Sequence, residues 1–149
     1  MPHAPALTGQ DIAEAQGAVT RLLEHSLAKT GTSSQEYVVL RVLAVRGPYA
    51  SPEELHAYLA GQPQVGLTRA AAIDLLKGLE AKGLASGTMP GSPGPAEATQ
   101  EGKARLAELA AAVAPRTQAL FAGLDPSDLL IAHNVLAQLT TRATEMVGQ

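Results

Sequence analysis

Cysteine and tryptophan are absent from the 149 residues, and three tyrosines with one phenylalanine supply every aromatic ring. The missing cysteine excludes disulfides, thiolate zinc sites, thiol redox switches and a cysteine nucleophile. An excess of charge is missing too, with 11 Lys and Arg against 14 Asp and Glu for a net −3, a total too mild to point to a partner. No apolar run approaches the length needed to span a membrane. The opening Met1-Pro2-His3-Ala4-Pro5 has no basic region leading into an apolar stretch, so a cytoplasmic protein is expected. Strand-favouring runs are few while alanine and leucine dominate, which makes helices the expected bulk of a single domain.

What is present is helical periodicity punctuated by caps. Ile12, Ala15, Val19, Leu22, Leu23 and Leu27 recur at helical spacing behind Thr8, whose hydroxyl can cap with Asp11 at the third position. This predicts a first helix from Thr8 to about Lys29, closed near Gly31. Ser33 with Glu36 repeats the cap before a run, Tyr37 to Val45, that is β-branched enough for a strand. The cap and the spacing of Tyr37, Leu40, Leu43 and Ala44 favour a buried helix. Gly47-Pro48 ends it and leaves Tyr49-Ala50 as a short extended piece.

Ser51-Pro52-Glu53-Glu54 combines a serine cap, proline at the first helical position and a glutamate reaching back to the cap. A short helix to about Ala60 follows. The two glutamates read as capping and dipole compensation rather than as a general acid and base. Gly61 to Gly66 is then a turn into the central helix. There Thr68 caps, Ala72, Leu75, Leu76 and Leu79 form a core stripe, and Gly83 supplies the left-handed stop. Its other face, Ala70, Ile73, Asp74, Lys77 and Ala81, is a surface of small side chains suited to a flat partner. Ala85 to Met89 is expected as a strand, Pro90 to Pro95 as a loop, and Ala96 to Ala98 as the returning strand. A hairpin after a helix-turn-helix is a wing. Thr99 caps a long helix through Leu106, Leu109, Val113, Leu120 and Phe121, in which Pro115 is expected to make a kink. Asp125-Pro126 opens a last helix. The first helix and the two last are too apolar to stand exposed, which predicts a dimer.

The order of elements resembles the MarR family of winged helix-turn-helix regulators over essentially the whole chain. The resemblance rests on Leu75 to Leu84, on Ala98-Thr99-Gln100-Glu101-Gly102-Lys103-Ala104-Arg105-Leu106, and on Ser33 to Leu40. It implies a mainly α fold with dimerisation helices over about 8–31 and 99–147 and a winged helix-turn-helix over about 33–98. It further implies a homodimer with each central helix in a major groove of double-stranded DNA, a palindromic operator, and a small aromatic or anionic ligand that relieves repression. Thr68, Arg69, Ala70, Asp74 and Lys77 are then the DNA-facing positions, and His25, Tyr37 and Arg41 lie beside the ligand cleft. No cofactor is implied. Arg41 interrupts an apolar run, so it either pairs with a buried carboxylate or serves an anionic ligand.

The departures matter more than the agreement. Relatives usually carry serine, threonine and arginine where this chain has Ala70, Ala71, Asp74 and Gly78, and a wing-tip aspartate-arginine pair where it has Pro90-Gly91-Ser92-Pro93-Gly94. Over residues 47–102 the bases are Arg69, Lys77 and Lys82 and the acids Glu53, Glu54, Asp74, Glu80, Glu97 and Glu101, a net −3. Phosphate neutralisation dominates affinity for DNA, so binding is handicapped. A second expectation therefore stands beside the first: a winged-helix scaffold with weakened or lost DNA binding that acts through protein or small-molecule contacts. An enzyme has no positive support. Ser26-Leu27-Ala28-Lys29-Thr30-Gly31 overlaps two motifs of serine β-lactamases that those enzymes keep far apart in sequence, and Gly91 with Gly94 lacks the lysine-serine of a phosphate loop. His3, His25, His56 and His133 show no metal-ligand spacing.

Overall fold

The computed structural model describes residues 6–148 and divides into two compact units, Met1–Arg116 and Thr117–Gln149. Helix α1 is Gly9–Leu27 and α2 is Ser34–Val45. Both open on the full reciprocal capping box: Thr8 Oγ1 accepts from Asp11 N–H at 3.1 Å, Ser33 Oγ from Glu36 N–H at 3.1 Å, and each acid returns the bond to its cap's backbone. The Tyr37–Val45 run is therefore helix, its β-branched residues overruled by the cap and by burial of Tyr37, Val39, Leu40 and Leu43. Helix α3 is Pro52–Ala60, a 3-10 turn covers Pro63–Val65, and α4 is Arg69–Ala81 with Thr68 Oγ1 accepting from Ala71 N–H. One detail at α3 differs from expectation. Glu54 reaches past the cap and accepts from Ala50 N–H at 3.2 Å, one residue further back than Ser51.

Leu27, Leu40, Leu43, Leu55, Leu76, Leu79 and Leu109 are the largest buried side chains, so α1, α2, α3, α4 and the next helix all pack on one core. Burying a leucine stabilises by roughly 1.5–3 kcal/mol relative to leaving it exposed, which is what fixes α4 against α2. Gly83, at φ 76°, ends α4 and lets Leu84 fold back, its N–H on the carbonyl of Leu79 at 2.9 Å.

The wing is shorter than its sequence. Strand β1 is Ala85–Ser86 and β2 is Glu97–Ala98, antiparallel with Ala85 opposite Ala98. The expected strand to Met89 breaks at Gly87, which has φ 69° and lies where a Cβ would meet the Pro95 carbonyl oxygen at 2.1 Å. Past that point Thr88 is drawn inward instead of pairing across the hairpin. Tyr49 adds an isolated antiparallel bridge to Ala96, as the extended piece before α3.

Helix α5, Gln100–Phe121, starts where Thr99 Oγ1 accepts from Gly102 N–H at 3.0 Å and donates to the Gly83 carbonyl at 2.6 Å. It runs through Pro115 without a break. Helix α6, Pro126–Val147, opens on Asp125, whose carboxylate accepts from Ser127 N–H, and none of its residues is buried. Among the described residues no helix is long and apolar enough to cross a membrane.

Candidate nucleic-acid interface

Helix α4 sorts its residues onto two faces. Ala72, Leu76 and Leu79 are buried, whereas Arg69, Ala70, Asp74, Lys77 and Gly78 are exposed, with Ile73 and Leu75 at the margin. Thr68 is exposed as well; its oxygen accepts the Ala71 N–H while its hydroxyl hydrogen stays available to donate. The five sequence-selected positions thus share one open surface. Arg69 and Lys77 form no ion pair among the described residues, whereas Lys82, the third cation of the module, is held by Glu36 of α2 at 3.0 Å. Two cations are left for a polyanion, and Asp74 sits between them in sequence.

Behind this face the wing is tied down by acids. Glu80 Oε1 of α4 accepts from both the N–H and the hydroxyl of Thr88 at 2.9 Å, the His56 Nε2–H of α3 donates to the Thr88 carbonyl at 2.9 Å, and Glu53 accepts from Gly91 N–H at 3.3 Å. Its own backbone N–H and then that of Gly91 hold the Glu53 carboxyl below its ordinary pKa. Thr88 is wholly buried, so the base of the wing is anchored to both helices of the helix-turn-helix. Glu53, His56 and Glu80 escaped the sequence reading in this role because their partner lies up to 38 residues away with no periodic signal.

The residues expected beside a ligand cleft do not form one cluster. Tyr37 is buried in the core, His25 is exposed on α1, and Arg41 is exposed with its guanidinium 6.0 Å from the centre of the Tyr37 ring. Among the described residues Arg41 pairs with no carboxylate, and its guanidinium lies over an aromatic ring. Arg41 does line an open trough of about 1240 Å³ between α1 and α2, with Val19, Leu23, Val42, Arg46 and Tyr58. Arg46 lies 5.4 Å from the centre of the Tyr58 ring, and the neighbouring Tyr49 hydroxyl is buried with no hydrogen-bond partner among the described residues; burial and then Tyr58 push its phenol up. Neither His25 nor Tyr37 is on the trough's wall.

A smaller cavity of about 260 Å³ lies where the α1–α2 turn, α2, the end of α4 and α5 meet. Leu40, Leu79, Leu84 and Leu109 form its apolar wall, and Glu36, Lys82 and Arg105 its polar one. Arg105 donates to the Thr30 carbonyl at 2.6 Å, to Thr32 Oγ1 at 3.3 Å and to Glu108 at 3.1 Å. Burial pushes the Glu36 carboxyl up, but the bonds from Lys82 and from Ser33 outweigh it and hold the group below its ordinary pKa. Among the described residues no group of three or more His, Asp or Glu is placed to hold a metal ion, and His3 lies outside them.

A capped helix-turn-helix and a short wing, with long helices before and after them in the chain, make a winged helix-turn-helix fold. The chain shares that fold over most of its length with solved transcriptional regulators. The transcriptional regulator PA3341 is 22% identical at a TM-score of 0.73, over 92% of this chain and 98% of that one. Ligand-free NadR is 20% identical at 0.73, over 95% and 98%. The MarR family protein Rv2887 of Mycobacterium tuberculosis, solved in complex with DNA, is 24% identical at 0.66, over 90% and 98%. The same protein is also solved with p-aminosalicylic acid. No family sequence model and no curated protein matches the chain.

Proposed function

We propose that this protein is a DNA-binding, ligand-responsive transcriptional regulator that acts in the cytoplasm as a homodimer and contacts DNA through Thr68, Arg69, Ala70, Asp74 and Lys77. The observation that carries the reading is the exposed face of α4, where Ala70, Asp74 and Gly78 stand beside Arg69 and Lys77, the two cations free of ion pairs among the described residues. The Rv2887 complexes with DNA and with p-aminosalicylic acid support it by fold. The neighbourhood of His25, Tyr37 and Arg41 remains the place proposed for a small aromatic or anionic effector, with Arg41 on the trough wall as its cation.

A specific observation favours the second reading. Lys82 is spent on Glu36, which leaves the acidic module two cations, and the wing offers none. A salt-titrated binding assay on the DNA flanking the coding region, run for the native chain and for Asp74→Arg, separates the two. If α4 faces DNA, Asp74→Arg raises non-specific affinity at low salt and steepens the log–log salt slope by about 0.9, the value of one added phosphate contact. If neither quantity moves, the face does not meet DNA and the chain is a winged-helix scaffold.

A further inference from the structure

Nothing among the described residues makes use of Asp74. It is exposed in the middle of α4, beyond the first turn, where an acid would cap the helix or offset its dipole. Aspartate is also one of the weaker helix formers. Among the described residues it makes no hydrogen bond and no ion pair, although Lys77 stands three positions on, at a spacing where helical ion pairs form. Helix α4 thus carries an acid that its own folding does not require.

The neighbours of Asp74 on the same stripe, one turn before and one turn after, are Ala70 and Gly78. Both are exposed, and a Cβ added at Gly78 would meet nothing within 4 Å. An aspartate reaches only a short way from the backbone. With one carbon or none on either side of it, the helix can approach a surface closely enough for that reach to suffice.

The chemistry of the carboxylate then selects what it meets. A carboxylate accepts hydrogen bonds and donates none. In the major groove guanine presents two acceptors, thymine an acceptor and a methyl group, and adenine a donor beside an acceptor, whereas cytosine presents its N4 amine alone. Three of the four bases therefore set an acceptor against Asp74, and a desolvated charge left unpaired is costly. Cytosine satisfies it.

We propose that Asp74 is a specificity-determining residue that reads one cytosine in each half-site through its N4 amine. The inference rests on the reading that α4 meets DNA, and it gives the acid a use there. With only Arg69 and Lys77 free to hold phosphate, the face discriminates by base more than it binds by charge, and the carboxylate weakens contact with every wrong sequence.

Random duplexes selected on the native full-length protein are expected to enrich a site with cytosine at a fixed position of each half. Asp74→Asn is expected to enrich the same site with adenine there, because an asparagine amide pairs with adenine N6 and N7. Fluorescence anisotropy then compares two duplexes that differ only at that base pair. Since Asp74→Asn also removes a negative charge, the readout is the ratio of the two affinities within each protein. The native chain is expected to favour the cytosine duplex by about tenfold or more, the effect of one charge-assisted hydrogen bond, and Asp74→Asn to reverse the order. Asp74→Ala is expected to bring the ratio close to one while the preferences at other positions stay, and circular dichroism of both variants is expected to match the native chain. The proposal is overturned, with DNA binding left standing, if the native chain binds duplexes without sequence preference or if both variants keep the native base at every position. It is overturned together with the reading beneath it if the native chain binds no duplex at all.

Discussion

At the scale of single residues, the structure gives a mechanical reason for the threonine-acid-glycine opening of α5. Thr99 N–H donates to the Leu84 carbonyl at 3.0 Å, which fixes that oxygen over the first turn, and a Cβ on Gly102 would sit 2.0 Å from it. The oxygen belongs to backbone at the foot of the wing and cannot swing away as a side chain would. Gly102→Ala is therefore expected to cost about 1–3 kcal/mol, the usual penalty of overpacking, seen as a lower urea midpoint with an unchanged slope. Gly78 is the internal control. It lies in the interior of α4 with nothing within 4 Å of an added Cβ, so Gly78→Ala is expected to stabilise by about 0.5–1 kcal/mol in the same measurement.

At the scale of elements, what was legible in the sequence was what is local. Thr8 with Asp11, Ser33 with Glu36, Ser51 with Glu54, Thr68, Thr99 and Asp125 each cap within two or three residues, and all six helix starts were readable because the caps act over that range. The leucine stripe of α4 was legible for the same reason, since helical period is a local property. The wing was legible as a hairpin but not in its length, because β1 ends when Thr88 is captured by Glu80 and His56 from two other helices. The cavity was not legible at all. Its cations come from α4 and α5, and the Lys82–Glu36 pair spans 46 residues.

That pair also makes the packing of α2 on α4 depend on pH. Burial raises the Glu36 carboxyl, the bonds from Lys82 and Ser33 lower it further than burial raises it, and the folded-state value lies below the ordinary 4.5. A carboxyl depressed on folding contributes stability that is fully present above its unfolded pKa and is lost as pH falls through the folded one. The native chain is thus expected to lose stability as pH is lowered below about 4.5, and Glu36→Gln to flatten that part of the curve while lowering stability near neutrality. Urea midpoints taken from pH 3 to pH 7 on both proteins check it, and parallel curves would remove the pair from the account of acid sensitivity.

At the scale of the whole molecule, the decisive feature is the unit Thr117–Gln149, in which no described residue is buried. Leu130 and Ile131 are each 61% exposed, Leu136 44%, Leu139 39% and Met146 71%, and no residue of the 22-residue α6 is buried. So many large apolar side chains exposed on one helix mark an interface, and isolated helices are marginal without a packed face. A second copy of the chain supplies the missing face in the homodimer proposed above. Sedimentation equilibrium is expected to give about twice 15.3 kDa at ~1 µM, with a Tm that rises with protein concentration because association and folding are linked. Ile131→Glu places a charge among the exposed apolar side chains of α6, where burial against a second copy without a partner is costly. It is expected to shift the equilibrium to monomer and to lower the Tm, most at the lowest concentrations. A native chain that sediments as a folded monomer, with a Tm independent of concentration, would defeat the homodimer. A variant as dimeric as the native chain would move the interface off this face of α6.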